Sequence, residues 1–250
     1  MGTRRRPVLA RLGGRAGLTV SSDDRHAPER YLRDAAYLAE VHPAAAAVFR
    51  DIEQVAADEG QPITERPSAR LLAFVVRAIG ARRALEIGTN LGYSAIWIAN
   101  ALTGDGELVA IDIDQKMLDR ARANFERAGV SSKVTTHCGP ALEVLPSVQG
   151  PFDFSYIDAD KQEYGRYLDA VIERLRPGGV VAIDNLLWLG QAAHDPEDDE
   201  FMRATTPVIR EFNRAFLHDP RLHATIVQVG DGVGLGVKLG AEIEMPADAW

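Results

Sequence analysis

The sequence predicts an α/β fold in which helices cover both faces of a mostly parallel sheet. From Arg83 onward, short apolar runs alternate with amphipathic stretches of helical spacing, which is the pattern of parallel strands joined by crossover helices. With 250 residues, 46% of them hydrophobic, the chain can bury one sizeable core. The segments before Arg83 have helical patterns only, so extra helices precede the sheet.

Three helices are predicted in this amino-terminal layer. They cover about Glu29–Leu38, Pro43–Glu59 and Ser68–Ile79. The second has proline in its first turn and is followed by Gly60, which are start and stop signals for a helix. The third carries leucine, valine and isoleucine at helical spacing.

Five strands and four helices are then expected to alternate. The strands are Ala84–Ile87, Glu107–Ile111, Lys133–His137, Phe152–Ile157 and Val180–Ile183. The helices are Tyr93–Leu102, Gln115–Ala128, Pro140–Leu145 and Gln162–Leu175, and Gly129 and Pro177-Gly178-Gly179 are stop signals. A further helix, Phe201–Leu217, precedes the runs Ala224–Val229 and Val233–Leu239, and the turn Gly230-Asp231-Gly232 between these runs predicts an antiparallel hairpin.

We expect one domain over residues 28–240, with a helical layer at 28–80 and the sheet core at 81–240. It lies between a disordered, arginine-rich arm, residues 1–27, and a tail, residues 241–250. The net charge of -8 argues against a surface devoted to nucleic acid, although the arm could supply local positive charge. No run approaches the roughly 20 apolar residues of a membrane span. The one cysteine, Cys138, excludes an internal disulfide, fits a reducing, cytoplasmic compartment and is expected on a buried strand.

The motif LEIGTNLGYS predicts a binding site for a nucleoside cofactor. It places Gly88 and Gly92 in the turn after the first strand, where ligands bind in doubly wound sheets. The spacing is not G-x-G-x-x-G, and Glu86 would repel a pyrophosphate but suits the ammonium of a methionine moiety. The next strand ends in Asp112, which can bind ribose hydroxyls. Asp114 competes for that role and is otherwise the cap of the following helix.

A second group of polar residues predicts a metal site. Asp158, Asp160 and Lys161 follow one buried strand, and Asp184 and Asn185 follow the next. Adjacent parallel strands deliver their carboxyl ends to one crevice, and carboxylate and amide oxygens select Mg²⁺, Mn²⁺ or Ca²⁺ over zinc. Each residue alone could merely cap a loop or helix. The six histidines are scattered, and no G-x-S-x-G elbow occurs.

In order along residues 64–238, the segments LEIGTNLGYS, DIDQK, GPALEVLP, YIDADK, LRPGGVVAIDN and GDGVGLGVK resemble the cation-dependent O-methyltransferases, which include catechol and caffeoyl-CoA O-methyltransferases. The resemblance implies a Rossmann-like sheet of seven strands with the last antiparallel, a homodimer, and methyl transfer from S-adenosylmethionine to a hydroxylated aromatic small molecule. The implied cofactor-binding residues are Thr64, Glu86, Gly88, Thr89, Ser94, Asp112 and Ala141.

The same resemblance implies that Asp158, Asp184 and Asn185 bind Mg²⁺ (or Mn²⁺ or Ca²⁺). Lys161, beside Asp158, corresponds to the catalytic base, and Asp160 to a residue that touches the substrate. Trp188 is either an aromatic wall for a flat acceptor or a cover for its loop. Because the metal would bind two neighbouring oxygens, the acceptor is expected to be catechol-like.

This chain departs from the family pattern near the acceptor site. It has Ala69-Arg70 where the family has a Gly-Gln pair, and DNLLWLG where a glycine commonly follows the tryptophan. The familiar acceptors are therefore not assured. Three alternatives stay open: methylation of a hydroxylated tRNA base, an NAD-dependent oxidoreductase, which the glycine spacing disfavours, and a non-catalytic binding module.

Overall fold

The structure is a computed structural model that describes residues 27–194 and 199–240. The predicted tail and the predicted arm lie outside the described residues, except for Ala27, where the first helix begins. The chain divides into two units, one ending at Ala45 and one beginning at Ala46. The first contributes a single described helix, and the second contains all the other helices and strands described below.

Eight helices and seven strands are described. The helices are α1 (Ala27–Val41), α2 (Ala47–Glu59), α3 (Arg66–Ala78), α4 (Tyr93–Ala101), α5 (Gln115–Ala128), α6 (Ala141–Val144), α7 (Tyr164–Arg174) and α8 (Glu200–Leu217). The strands are β1 (Arg83–Ile87), β2 (Glu107–Asp112), β3 (Val134–Cys138), β4 (Phe152–Ile157), β5 (Leu175–Ile183), β6 (Leu222–Val227) and β7 (Val233–Lys238). No helix in these residues is long and apolar enough to cross a membrane.

All seven strands form one sheet in the order β3-β2-β1-β4-β5-β7-β6. β1 to β5 pair in parallel, whereas β7 is antiparallel to both of its neighbours. This confirms the predicted α/β class, the count of seven strands, the antiparallel last strand and the hairpin. The central strands are largely buried, and every residue of β4 except Asp153 is buried, as expected for a parallel strand covered on both faces.

Most predicted boundaries differ from the structure by three residues or fewer, and two differ by more. The second helix begins at Ala47 rather than Pro43. β5 begins at Leu175 rather than Val180, because Pro177-Gly178-Gly179 forms an irregularity within the strand where its register against β4 shifts. The helix before it does end at Arg174, as these stop signals indicated.

Cys138 is exposed, against the expectation of a buried position. It is the last residue of β3, an edge strand in which every residue is at least partly accessible. The apolar run in the sequence therefore marked a strand correctly but not its burial, because an edge strand is covered less completely than a central one.

Candidate active site

The carboxyl ends of β1, β2, β4 and β5 open into one cavity of about 1100 Å³. The residues that the resemblance implied for cofactor, metal and substrate all line this cavity, except Glu86, which contacts the cavity residue Ser94. Parallel strands bring their carboxyl ends to the same edge, so residues distant in sequence meet here. We refer to the part near β1 and β2 as the cofactor end and to the part near β5 as the acceptor end, after the predicted residues that line each of them.

The cofactor end is built around the turn after β1. Gly88 has φ of 91°, and a Cβ there would lie 1.9 Å from the carbonyl oxygen of Asp158, so only glycine fits. The Oδ2 atom of Asp112 accepts hydrogen bonds from the amides of Thr89 (2.9 Å) and Asn90 (2.7 Å). Asp112 therefore fixes the turn from within the cavity.

The structure distinguishes the two aspartates that competed for the ribose position. Asp114 precedes α5, and its Oδ1 atom accepts from the amide of Lys116 at 2.8 Å, which makes it the helix cap. Asp112 lines the cavity, whereas Asp114 is not among the cavity residues. Only the geometry of Asp112 suits a bound ligand.

Glu86 is a fully buried carboxyl with one unsatisfied oxygen. The hydroxyl of Ser94 donates to its Oε1 atom at 2.6 Å, while Oε2 has no hydrogen-bond partner. Burial raises the pKa of Glu86 to about 8, and the negative charges of Asp158 and Asp112 act in the same direction. A buried acceptor without a donor is costly, so this oxygen fits a cationic ligand such as the ammonium of a bound amino acid.

The acceptor end contains the predicted metal ligands. Asp184 is buried, and its two oxygens accept from the hydroxyl of Tyr156 (2.6 Å) and from the amide of Asn185 (2.8 Å). Asp158 forms an ion pair with Lys161 at 2.9 Å. Burial and the charge of Asp158 raise the pKa of Asp184, since two carboxylates lie close together in a poorly solvated place.

Tyr156 connects Asp184 to Thr64. Burial raises the pKa of Tyr156 far above its ordinary value, so the phenol stays protonated and donates a hydrogen bond to Asp184. The hydroxyl of Thr64, 2.9 Å away, then donates to the tyrosine oxygen. Thr64, which only the resemblance suggested, is thereby linked to Asp184, a predicted metal ligand. Tyr156 was not predicted, because its strand position marks only a buried residue.

These donors fit a hard divalent cation. Two carboxylates and an amide oxygen are the ligands that Mg²⁺ prefers, and a cation would relieve the repulsion between Asp158 and Asp184. Within residues 27–194 and 199–240, no cluster of three or more His, Cys, Asp or Glu side chains is arranged to hold a metal. The predicted set has only two acidic members, so its third position depends on the amide of Asn185.

A loop after β5 forms the wall of the acceptor end. Asn185, Trp188 and Leu189 all have positive φ, between 52° and 59°. The ring of Trp188 lies 5.8 Å from that of Phe201, and Leu189 and Phe201 are largely exposed at the cavity. Trp188 itself is buried and belongs to the core, so both interpretations of this residue, aromatic wall and loop cover, fit its position.

Sequence reasoning missed Asp231 as a site residue. It lies in the turn between β6 and β7 and lines the cavity. The Gly230-Asp231-Gly232 trio predicted only a hairpin. Because β7 runs antiparallel to β5, the start of β7 meets the end of β5, and this pairing of distant strands could not be read from the local pattern.

A family model, related sequences and solved structures all identify this chain as similar to O-methyltransferases. Residues 34–239 match the model of the O-methyltransferase family. A caffeoyl-CoA O-methyltransferase from Mesembryanthemum crystallinum is 36% identical over 187 residues, which is 72% of this chain and 70% of that protein. Another, from Petroselinum crispum, is 33% identical over 205 residues, which is 78% of this chain and 85% of that protein.

Two solved structures are similar. The O-methyltransferase TomG of Streptomyces achromogenes, involved in tomaymycin synthesis and determined with S-adenosylmethionine, has a TM-score of 0.75 at 30% identity, covering 85% of this chain and 98% of that one. An O-methyltransferase from Bacillus cereus, determined with S-adenosylhomocysteine, has a TM-score of 0.73 at 32% identity, covering 84% and 99%. The chain therefore belongs to the O-methyltransferase family and is an S-adenosylmethionine-dependent O-methyltransferase.

Proposed function

We propose that the enzyme uses a divalent cation to methylate one of two neighbouring hydroxyl groups on a small aromatic acceptor. The observation that carries this proposal is the convergence of Asp158, Asp184 and Asn185 on one end of the cavity. At the other end, the lining residue Ser94 contacts Glu86, whose second carboxyl oxygen is buried and unsatisfied. One end supplies oxygen ligands for a cation, and the other suits the ammonium of the methyl donor.

In this proposal the chain binds the cofactor through the turn after β1. Glu86 pairs with its ammonium, Asp112 accepts from the ribose hydroxyls, and Gly88 lets the backbone approach closely. Thr89, Ser94 and Ala141 complete that end, as the resemblance implies. Holding both substrates in one cavity lowers the entropic barrier, an effect worth up to about 7–11 kcal/mol.

At the acceptor end, Asp158, Asp184 and Asn185 would hold Mg²⁺, or Mn²⁺ or Ca²⁺. The bound ion would lower the pKa of an acceptor hydroxyl and orient it. Lys161 lies beside Asp158; once its own ammonium proton has passed to solvent, its amine would take the proton that the hydroxyl loses, a role typically worth about 10²–10⁴-fold in rate. Asp160 lines the same end and can accept a hydrogen bond from the substrate.

The acceptor class follows from the walls and from the relatives. Trp188, Leu189 and Phe201 give the mouth an apolar wall with two aromatic rings, which suits an aromatic acceptor. Relatives named caffeoyl-CoA O-methyltransferase act on a phenolic group, in agreement with a hydroxylated aromatic acceptor. We also infer a homodimer, as the resemblance implies, and a cytoplasmic location, which the single cysteine favours. Light scattering on the purified protein tests the oligomeric state.

The test is methyl transfer to a panel of catechols with and without EDTA, in the wild type and in Asp184→Asn. We expect EDTA and the substitution each to lower the rate by about 100-fold or more, since the ion is worth several kcal/mol of charge stabilisation. Asp105→Asn, at an exposed turn before β2, is the matched control and should keep full activity. Undiminished activity in EDTA would refute the metal mechanism.

A further inference from the structure

Asp231 uses both of its carboxylate oxygens to hold the loop that carries the third proposed metal ligand. Its Oδ2 atom accepts from the side-chain amide of Asn185 at 3.2 Å. Its Oδ1 atom accepts from the backbone amide of Leu189 at 2.6 Å. One side chain from the β6–β7 turn thus contacts the first and last residues of the 185–189 loop.

The turn is itself fixed against that loop. The backbone amides of Leu186 and Leu187 donate to the carbonyls of Gly232 (3.0 Å) and Asp231 (2.9 Å). A Cβ at Gly232 would lie 2.9 Å from the backbone nitrogen of Leu187, so the close approach requires glycine. The carboxylate of Asp231 is therefore presented from a rigid position.

The chemistry of the two side chains determines which way the amide of Asn185 points. A carboxylate can only accept hydrogen bonds, whereas the amide has a donating NH₂ group and an accepting oxygen. The group that faces Asp231 must therefore be the NH₂ of Asn185. The oxygen is left as the end that can bind a cation.

We propose that Asp231 is a positioning residue that orients the amide of Asn185 for metal binding. This inference rests on the proposed metal site. Partners that orient a metal ligand typically contribute about 10- to 100-fold to metal affinity or activity. Asp231 would increase metal affinity without contacting the ion, because it disfavours the rotamer of Asn185 in which the NH₂ group faces the ion.

The decisive variant is Asp231→Asn, with Mn²⁺ affinity measured by electron paramagnetic resonance. The new amide can still accept from Leu189 through its oxygen, but its NH₂ then faces the NH₂ of Asn185. Asn185 must rotate and turn its NH₂ to the ion. We expect Mn²⁺ to bind about 10- to 100-fold more weakly, with the affinity for S-adenosylhomocysteine unchanged.

Asp231→Ala separates orientation from support of the loop. Alanine loses both contacts, but it does not force Asn185 to rotate. If Asp231 orients the amide, Asp231→Asn weakens Mn²⁺ binding at least as much as Asp231→Ala. If Asp231 only supports the loop, alanine is the more damaging change, and that order overturns the proposal.

The double variant Asn185→Asp with Asp231→Asn is the rescue. Its new amide donates to the new carboxylate, whose second oxygen remains for the ion, so most of the lost Mn²⁺ affinity should return. No recovery would contradict the proposal. The proposed metal site, and this inference with it, would be refuted if the wild type bound no Mn²⁺ or if Asp184→Asn bound Mn²⁺ as tightly as the wild type. Normal Mn²⁺ binding by both the wild type and Asp231→Asn refutes the inference alone.

Discussion

The two ends of the cavity are assembled from the sequence in different ways. The cofactor end comes mainly from one strand-helix-strand segment, in which Asp112 holds the turn after Glu86 only about two dozen residues away. The acceptor end needs the ends of β4 and β5, the start of α8 and the β6–β7 turn. The cofactor end is thus encoded locally, whereas the acceptor end exists only once distant strands have paired.

The backbone shows the same contrast. At the cofactor end, positive φ falls on Gly88 and Gly92, which adopt it at little cost, and on Asn90, a residue type that visits this region more readily than most. In the acceptor loop it falls on Asn185, Trp188 and Leu189, and a side chain makes such a conformation cost about 1–3 kcal/mol per residue. The acceptor loop must therefore be held by neighbouring elements, as its contacts with the β6–β7 turn show.

Gly88→Ala should have the largest effect, because the cofactor end is locally encoded but tightly packed. A Cβ at Gly88 would lie 1.9 Å from the carbonyl oxygen of Asp158, so the ends of β1 and β4 must separate. Overpacking, about 1–3 kcal/mol, adds to left-handed strain, about 1–2 kcal/mol. We expect the free energy of unfolding to fall by about 2–5 kcal/mol in urea denaturation.

Gly60→Ala is the matched control for this change. Gly60 also has positive φ, 66°, but a Cβ there would meet no atom within 4 Å. It should cost only the left-handed strain, about 1–2 kcal/mol. Equal losses in the two variants would mean that the approach of β1 to β4 is not tight.

The second prediction concerns the pH dependence of stability and Glu86. Burial raises the pKa of Glu86 from 4.5 to about 8 in the folded protein, so the folded state keeps a proton that the unfolded state releases. Its contribution to stability is present below pH 4.5 and is lost as the pH rises toward 8. Glu86→Gln does not titrate, so the variant should gain stability relative to the wild type between pH 5 and 8, by up to about 3 kcal/mol.

Thermal unfolding of both proteins at several pH values, without cofactor, measures this difference. The negative charges of Asp158 and Asp112 raise the pKa of Glu86, whereas the hydrogen bond from the hydroxyl of Ser94 lowers it. The corresponding comparison of Asp105→Asn with the wild type should show no such trend. A stability difference between Glu86→Gln and the wild type that does not change with pH would show that Glu86 is already ionised in the folded protein.

The contrast between the two ends also explains what could be predicted from sequence. Gly88 and Asp112 belong to a local pattern of strand, turn and strand end, so spacing alone placed them at one site. Asp158 and Asp184 could be placed together because consecutive parallel strands share a carboxyl edge. The first pair is close in sequence, and the second pair is brought together by the predicted fold class.

Asp231 and Tyr156 could not be assigned in this way. Asp231 reaches the site only because β7 pairs with β5, which no local pattern specifies. Tyr156 contacts Asp184 across neighbouring strands, but in the sequence it is one more apolar-looking position of a buried run. The positive φ of Trp188 likewise arises from tertiary contacts rather than from the preference of tryptophan.

Trp188→Leu should have the smallest effect in free energy. It should change binding at the acceptor end and leave binding at the cofactor end unchanged. Leucine keeps apolar bulk for the core but removes the aromatic face, so a stacked acceptor would lose about 0.5–1.5 kcal/mol of binding. We expect the KM for the acceptor to rise roughly three- to tenfold, with kcat and the affinity for S-adenosylhomocysteine unchanged.

Trp97→Leu is the control, because Trp97 stacks on Phe49 and does not line the cavity. It should lower stability without changing the KM for the acceptor. If Trp188→Leu also leaves that KM unchanged, Trp188 only covers its loop, and the apolar wall must be assigned to Leu189 and Phe201. If both tryptophan variants raise the KM equally, the change in KM arises from lowered stability of the protein rather than from a lost contact with the acceptor.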